Sequence, residues 1–414
     1  MKICIAGMGK IGIPLAAQFA TKGAQVVGYD INPPRVADIN NGRNPLPAEP
    51  GVAEAFASGR IGATSDPAEA ASGADVIIFI VPVDIDDERR PAFSALDAAV
   101  AALAPHVRRG SLVIVETTVP VGTTRNRVGP ALERLSGLRA GEDILLAFSP
   151  ERVSSGTVLL DLKRYPKIVG GIDAASTRRA AEFYTAMLDA PVLELRDAET
   201  AEFSKLAETT YRDVNIALAN EFAHLADRLG VDLRAAIEAA NSQPYSHIHA
   251  PGVGVGGHCI PVYPYFLANE ATPLINDARR INDGMAAYGA ERLEAALGTL
   301  GGATVVVLGL AYRAGVKESR HSSALPLAAA LQERGATVYV HDPLYTDDEV
   351  RQHSLEPPPG FPLPCDALAI QAWHREYERL DFSAFAGLRA ILDGRGVLGT
   401  PSLPEGVCVV GIGS

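Results

Sequence analysis

Short apolar runs alternate with longer stretches of helical texture over the first part of the chain. Lys2–Ala6, Gln25–Tyr29, Asp75–Val81, Ser111–Glu116 and Ile144–Phe148 are rich in Val and Ile, the composition of strands buried on both faces of a parallel sheet. Ala-rich segments such as Pro14–Lys22 and Ala95–Leu103 lie between them and read as the covering helices. The texture changes near Asp197. From there to Leu229 there is no Pro and no Gly, and Leu218, Phe222, Leu225 and Leu229 recur at spacings of four, three and four, one face of a helix. Asp197 is placed to cap its start, Glu199 suits its first turn, and Gly230 is placed to end it. This pattern predicts one helix of more than thirty residues that spans between domains. A second alternating section follows, with strands at Thr304–Leu310, Thr337–His341, Ile391–Asp393 and Val407–Val410 and a helix at Ser322–Arg334. The expected class is α/β, with two doubly wound domains joined by the long central helix and a helical middle domain. The expected divisions are 1–196, 197–300 and 301–414. The apolar face of the central helices exceeds what one neighbour needs to cover, so a homodimer built on them is expected.

Composition narrows the class. Over 414 residues, 47% are hydrophobic and 21% charged, ordinary for a globular protein. The net charge of −12 argues against a broad nucleic-acid surface but leaves room for an anionic small ligand in a locally basic pocket. No apolar run reaches bilayer length, and Met1-Lys2 leads straight into an apolar strand, so neither a membrane span nor a secretory leader is expected and the expected location is cytoplasmic. The cysteines Cys4, Cys259, Cys365 and Cys408 form no CxxC pair, which disfavours zinc and redox-dithiol sites; no metal is expected. Cys4 and Cys408 lie in apolar runs and read as core residues.

Two loops carry chemistry. Gly7-Met8-Gly9-Lys10-Ile11-Gly12 follows one strand and opens a helix. The first Gly permits a tight turn, the second lets backbone approach a pyrophosphate, and the third lets helix pack on strand. Asp30 ends the second strand; a carboxylate there accepts hydrogen bonds from ribose hydroxyls and repels a 2′-phosphate. This Rossmann pattern predicts NAD rather than NADP, a preference that nearby Arg35 weakens slightly. The second loop is Gly252-Val253-Gly254-Val255-Gly256-Gly257-His258-Cys259-Ile260-Pro261. Four glycines in six residues do not suit a regular element, where each costs about 1 kcal/mol. They let the backbone pass close to something and present Cys259 at the end. A thiol nucleophile needs a depressed pKa, which adjacent His258 or a cationic cofactor ring could provide.

On these motifs the chain resembles the nucleotide-sugar 6-dehydrogenases. The likeness extends through Thr117-Thr118-Val119-Pro120-Val121-Gly122-Thr123-Thr124, Ser149-Pro150-Glu151-Arg152, and Lys205-Leu206-Ala207-Glu208 running on to Asn215. It continues through Gly256–Pro261, Gly309-Leu310-Ala311-Tyr312-Arg313 leading to Lys317 and Arg320, and Asp393-Gly394-Arg395. The resemblance implies NAD-dependent four-electron oxidation of the C6 alcohol of a UDP- or TDP-linked hexose to the uronic acid, through a thiohemiacetal and a thioester on Cys259. It implies catalytic roles for Cys259, Lys205 (oxyanion stabilisation), Thr118 (water), Glu151 (thioester hydrolysis) and Thr209. Cofactor contacts are implied at Gly7, Gly9, Lys10, Ile11, Gly12, Asp30, Pro82, Val83, Thr118 and Arg320. Substrate contacts are implied at Glu151, Arg152, Lys205, Gly256, Cys259, Tyr312, Lys317 and Arg279, with Arg280 beside the last, and with Arg320 joining Lys317 at the diphosphate end.

The chain departs from the family pattern at three positions. Thr209 stands where Asn is usual, one turn after Lys205, and its hydroxyl still donates. Tyr263 stands where Asp usually follows the cysteine; a phenol does not replace a carboxylate base at neutral pH. Ser155 stands where UDP-glucose enzymes often carry a second glutamate. Two other readings share parts of the pattern: a two-electron β-hydroxyacid-type dehydrogenase, which needs no cysteine, and a non-catalytic sugar-nucleotide sensor.

Overall fold

The computed structural model describes residues 1–46, 49–153, 156–399 and 402–413; Ser155 lies outside them. The chain forms two compact units, Met1–Glu208 and Thr209–Ser414.

In the first unit the strands are β1 (Lys2–Ala6), β2 (Gln25–Tyr29), β3 (Ile61–Thr64), β4 (Val76–Phe79), β5 (Asp84–Ile85), β6 (Pro91–Ala92), β7 (Leu112–Val115), β8 (Leu145–Phe148), β9 (Lys167–Gly171) and β10 (Val192–Glu194). Among the described residues, β5 and β6 pair as a small antiparallel hairpin and the others form one sheet in the order β10-β9-β8-β7-β4-β1-β2-β3. The neighbours are parallel except β8 and β9, which run antiparallel, so the sheet is not wholly parallel as the apolar runs suggest. Its centre is dry: Ile3, Ile5, Ile77, Ile78, Val113 and Ile114 have no exposed surface. The reversal of strand order falls beside β1, from which β2 and β4 lead to opposite sides. A crevice at such a point, outside the carboxyl ends of the strands, is where doubly wound sheets hold ligands.

In the second unit β11 (Thr304–Leu308), β12 (Thr337–His341), β13 (Ala367–Ile370), β14 (Ala390–Asp393) and β15 (Cys408–Gly411) form a parallel sheet in the order β12-β11-β13-β14-β15. The 25-residue helix Pro273–Leu297 buries Met285, Ala286, Ala290 and Leu293 in the core of this unit. Cys408 corrects the core expectation: it is exposed, as is Val409, because it lies near the start of β15, the outer strand of the sheet. Cys4 and Cys365 are buried, and burial pushes each thiol up to about 12.

The long helix runs over Ala198–Leu229 without a break. Asp197 caps it, accepting the Thr200 N–H at 2.8 Å. At the other end Gly230 adopts φ +66° and the Val231 N–H reaches back to the Ala226 carbonyl at 3.1 Å. That is the six-to-one closure a left-handed residue permits. Among the described residues, no helix is long and apolar enough to cross a membrane.

Candidate active site

In the first unit the predicted residues gather on one edge of the sheet. Gly7 follows β1, Asp30 follows β2, Pro82 and Val83 follow β4, Thr118 follows β7 and Glu151 follows β8. These strands are adjacent and parallel, so all five loops leave the carboxyl edge. The glycines divide by role. Gly7 has φ +100°, and a side chain at Gly12 would place Cβ 1.9 Å from the Gly7 carbonyl oxygen. The protein's own packing demands both. A Cβ at Gly9 would meet nothing within 4 Å, so the backbone there is open to a pyrophosphate at the start of the helix Gly12–Thr21. Lys10 is exposed and Ile11 half-buried on the same turn.

Asp30 is almost buried. One carboxylate oxygen accepts the Met8 N–H and the other the Asn32 N–H, both at 2.9 Å. It therefore shapes the glycine loop and retains lone pairs for a ribose. Arg35 lies 3.7 Å away on a side chain more than a third exposed. The Thr117 hydroxyl donates to the Val81 carbonyl at 2.5 Å, which ties the exits of β4 and β7 together and fixes the Pro82–Val83 turn beside buried Thr118.

The long helix contributes to this edge. Lys205 is buried. Glu202, on the preceding turn, has no exposed surface and accepts the Gly122 N–H at 2.5 Å and the Thr124 N–H at 2.8 Å. It thereby anchors the loop that carries Thr118, where a π-helical turn, Thr124–Val128, opens the next helix. Burial pushes the Glu202 carboxyl up to about 6 despite those donors. Glu208 bonds to Arg152 at 2.9 Å. Glu151 is gripped from two sides: Oε1 accepts the Arg152 N–H at 2.7 Å and Oε2 accepts from Lys167 at 3.0 Å. Sequence reading passes over Lys167, Glu116 and Glu202. Its one available signal is a charge ending an apolar run, as Glu116 does.

The second unit holds the cysteine loop. Its glycines make room for the protein itself. A Cβ at Gly256 would lie 2.7 Å from Tyr312 Cβ, one at Gly257 3.1 Å from the Tyr312 ring, and one at Gly254 2.9 Å from Ser323 Cβ. Half-buried Arg395 binds the Gly254 carbonyl at 2.9 Å, Ser323 Oγ at 2.9 Å and the Gln371 carbonyl at 2.6 Å. The Gly257 N–H donates to the Arg320 carbonyl at 3.0 Å. Cys259 follows, partly exposed, and its carbonyl accepts from Tyr263 N–H at 2.9 Å. The adjacent His258 ring lies 3.2 Å from Glu318.

The remaining predicted residues of this unit separate by environment. Arg279 is buried, bonded to Asp213 at 2.5 Å and to Asp283, and it reaches the Ile260 carbonyl at 3.5 Å; it sits behind the cysteine loop. Arg280 is exposed and pairs with Asp277. Lys317 is exposed and bonds Glu349 at 2.6 and 2.8 Å. Tyr312 is half-buried, Arg320 exposed and Thr209 buried. Among the described residues no cluster of His, Cys, Asp or Glu is arranged to hold a metal ion.

Comparison with known proteins gives these two surfaces a common context. Residues 1–188 match the NAD binding domain of the UDP-glucose/GDP-mannose dehydrogenase family, 199–284 its central domain and 306–400 its UDP binding domain. The UDP-N-acetyl-D-mannosamine dehydrogenase of Pyrococcus horikoshii is 38% identical, over 100% of this chain and 99% of its own. The NDP-N-acetyl-D-galactosaminuronic acid dehydrogenase of Ralstonia solanacearum is 33% identical, over 95% and 96%. A solved structure of the Pyrococcus horikoshii UDP-D-ManNAc dehydrogenase superposes with a TM-score of 0.89 at 36% identity, covering 100% of this chain and 99% of that one. The chain therefore belongs to the UDP-glucose/GDP-mannose dehydrogenase family and is an NAD-dependent nucleotide-sugar dehydrogenase.

Proposed function

We propose that this dehydrogenase carries a UDP-linked N-acetylhexosamine through a four-electron oxidation at C6, from alcohol to carboxylate, with Cys259 as covalent nucleophile. The observation that carries the reading is the cysteine loop. Its glycines and Arg395 hold the backbone against Tyr312 and Ser323, and a partly exposed thiol stands at its end. An alcohol oxidised once needs no nucleophile, whereas an aldehyde must gain a heteroatom before it can lose hydride again. The UDP binding domain match and the N-acetylhexosamine names of the two relatives support the substrate class.

NAD, when bound, would supply the hydride acceptor for both oxidations at C6, and Gly7–Gly12 and Asp30 would hold its pyrophosphate and ribose. Lys205 offsets the negative charge that develops on the C6 oxygen, and Thr118 and Thr209 hold hydroxyl donors for that oxygen or its water. The Cys259 sulfur adds to the aldehyde carbon to give a thiohemiacetal, whose oxidation leaves a thioester. In hydrolysis, water adds to the thioester carbon, Glu151 takes its proton, the C–S bond breaks, and the sulfur leaves as thiolate. The balance is one alcohol, two NAD⁺ and one water giving one carboxylate, two NADH and three protons. Lys317 and Arg320 stand as the basic pair for the diphosphate. On the long helix Tyr211, Leu218 and Leu225, spaced by seven, are exposed with Leu229, which supports a homodimer on this face.

The test is a screen of UDP- and TDP-sugars for NADH release, followed by intact-protein mass after acid quench. A UDP-N-acetylhexosamine is expected to be the best substrate, with two NADH released per sugar and a sugar-nucleotide adduct on the Cys259 peptide. Cys259→Ser should bind both ligands yet lose full turnover. Four-electron turnover surviving in Cys259→Ala would overturn the covalent mechanism.

A further inference from the structure

Beneath the loop after β8 lies a buried charge cluster that the reaction above does not use in full. Lys167, at the start of β9, is 4% exposed and Glu116, at the exit of β7, is 1% exposed. The Lys167 ammonium lies 2.5 Å from Glu116 Oε1 and 3.0 Å from Glu151 Oε2, and donates to the Pro150 carbonyl at 3.4 Å. The Tyr184 hydroxyl donates to the same Glu116 oxygen at 2.6 Å, and its ring faces the ammonium at 4.9 Å. Of the other charged groups near Glu151, Arg152 is held by Glu208, and Asp161 lines the same cleft with Tyr165.

Burying ions is expensive, and a buried pair is weak ground for stability alone. A purely structural pair would be complete with Lys167 and Glu116. Here the ammonium is shared with a third group, and that group sits on the loop at the carboxyl edge where the chemistry is read. We propose that Lys167, braced by Glu116 and Tyr184, is a positioning residue that fixes the orientation of the Glu151 carboxylate for thioester hydrolysis. The proposal rests on the hydrolytic role given to Glu151 above. Burial opposes charge on Lys167, yet the two carboxylates around it hold its pKa above the ordinary lysine value, so the cation facing Glu151 persists at neutral pH. Burial, the largest influence on Glu116, pushes its carboxyl up. The cluster is therefore arranged around the cation rather than around Glu116.

Removing Lys167 alone strands the buried Glu116 charge, so the test uses the neutralised pair E116Q/K167M beside K167R and E151Q. The substrate is the UDP-N-acetylhexosamine selected by the screen above. In E116Q/K167M, with a cooperative melt retained, the rapid NADH burst should persist. Steady-state turnover should fall by ~10²-fold, the scale of misplacing a catalytic group. The Cys259 adduct should accumulate, as in E151Q. K167R should restore most of the turnover. A burst and steady state that fall in proportion, with no adduct, would make the cluster structural and overturn the proposal. An adduct in E151Q but not in E116Q/K167M overturns the role of Lys167 alone. No adduct in E151Q removes the reading of Glu151 and this proposal with it.

Discussion

The two sheets begin with the same turn and finish it differently. In the first unit β1 runs into Gly7, whose N–H donates to the Tyr29 carbonyl at 2.9 Å, and Asp30 after β2 accepts the Met8 N–H. In the second, β11 runs into Gly309, also at φ +100°, whose N–H donates to the His341 carbonyl at 2.8 Å. Asp342 after β12 accepts the Leu310 and Ala311 N–H groups, each at 2.8 Å. The same strand–glycine–strand–aspartate unit therefore occurs twice. The difference is what else reaches the acid. Asp342 also takes the Leu344 N–H at 2.9 Å and lies 3.1 Å from His374 Nε2. The Gly315 N–H donates to His374 Nδ1 at 3.2 Å, which leaves the proton on Nε2, pointing at the aspartate. Asp30 has two backbone donors and spare acceptor capacity; Asp342 is saturated by its own unit. At Asp342 a histidine and a further backbone donor take up acceptor capacity that Asp30 keeps.

The largest effect that would sharpen this contrast is at the saturated acid. Asp342→Ala leaves three backbone N–H groups and an imidazole without their acceptor, at about 1–3 kcal/mol for each buried group left unsatisfied. The second unit should lose at least about 3 kcal/mol in denaturant unfolding, with NAD affinity unchanged in whatever fraction stays folded. Asp30→Ala should cost less stability, because only the Met8 and Asn32 N–H groups lose their acceptor, while NAD binding weakens about 10- to 100-fold, the cost of losing a charged acceptor. Calorimetric NAD titration alongside chemical melts separates the two. Equal losses of stability would show that Asp30 is as structural as Asp342.

How much of this was legible in the sequence follows from the range of each interaction. Gly7, Gly12 and Asp30 are read easily because their reasons lie within one strand–loop–helix unit. The limits of the long helix are equally local, since Asp197 and Gly230 act on their own turns. Arg395 stands in a recognisable motif, but its work on the Gly254 carbonyl joins residues 141 apart in sequence. Lys167 and Glu116 are nearly as hard to pair, because burial of an ion cannot be read from a sequence that shows only an isolated charge. The glycines of the cysteine loop mark a close approach. What approaches them includes Tyr312, Ser323 and Arg395 of the same unit.

A smaller contrast lies within the first glycine loop. Gly12→Ala drives a methyl into the Gly7 carbonyl at 1.9 Å and should cost about 1–3 kcal/mol as an overpacked site. Gly9→Ala meets no protein atom and should stay within about 0.5 kcal/mol of the parent. It should still weaken NAD binding, because the added methyl occupies the approach to the pyrophosphate. A Gly9→Ala protein with unchanged NAD affinity would move the pyrophosphate away from this turn.

Two buried carboxylates with backbone donors give the last test, because their balance falls on opposite sides. Burial is the largest influence on Asp342, yet His374 and the Ala311 and Leu344 N–H groups hold its pKa below the usual aspartate value. Its contribution to stability is thus present above the unfolded pKa and lost as pH falls through the folded one. Glu202 has the Gly122 and Thr124 N–H donors and the Thr124 side chain, yet burial raises it from 4.5 to about 6. The raised pKa means the folded state binds a proton more tightly than the unfolded chain. Its contribution is fully present below pH 4.5 and lost as pH rises through about 6. At 1.36 kcal/mol per unit the swing is about 2 kcal/mol. Glutamine does not titrate, so the stability of the parent relative to E202Q should fall by about that amount between pH 4 and pH 7. A difference flat across that range, or one that rises with pH, would mean that the Gly122 and Thr124 donors suffice to hold a buried carboxylate charged. The histidine that closes Asp342 would then be unnecessary to explain its ionisation.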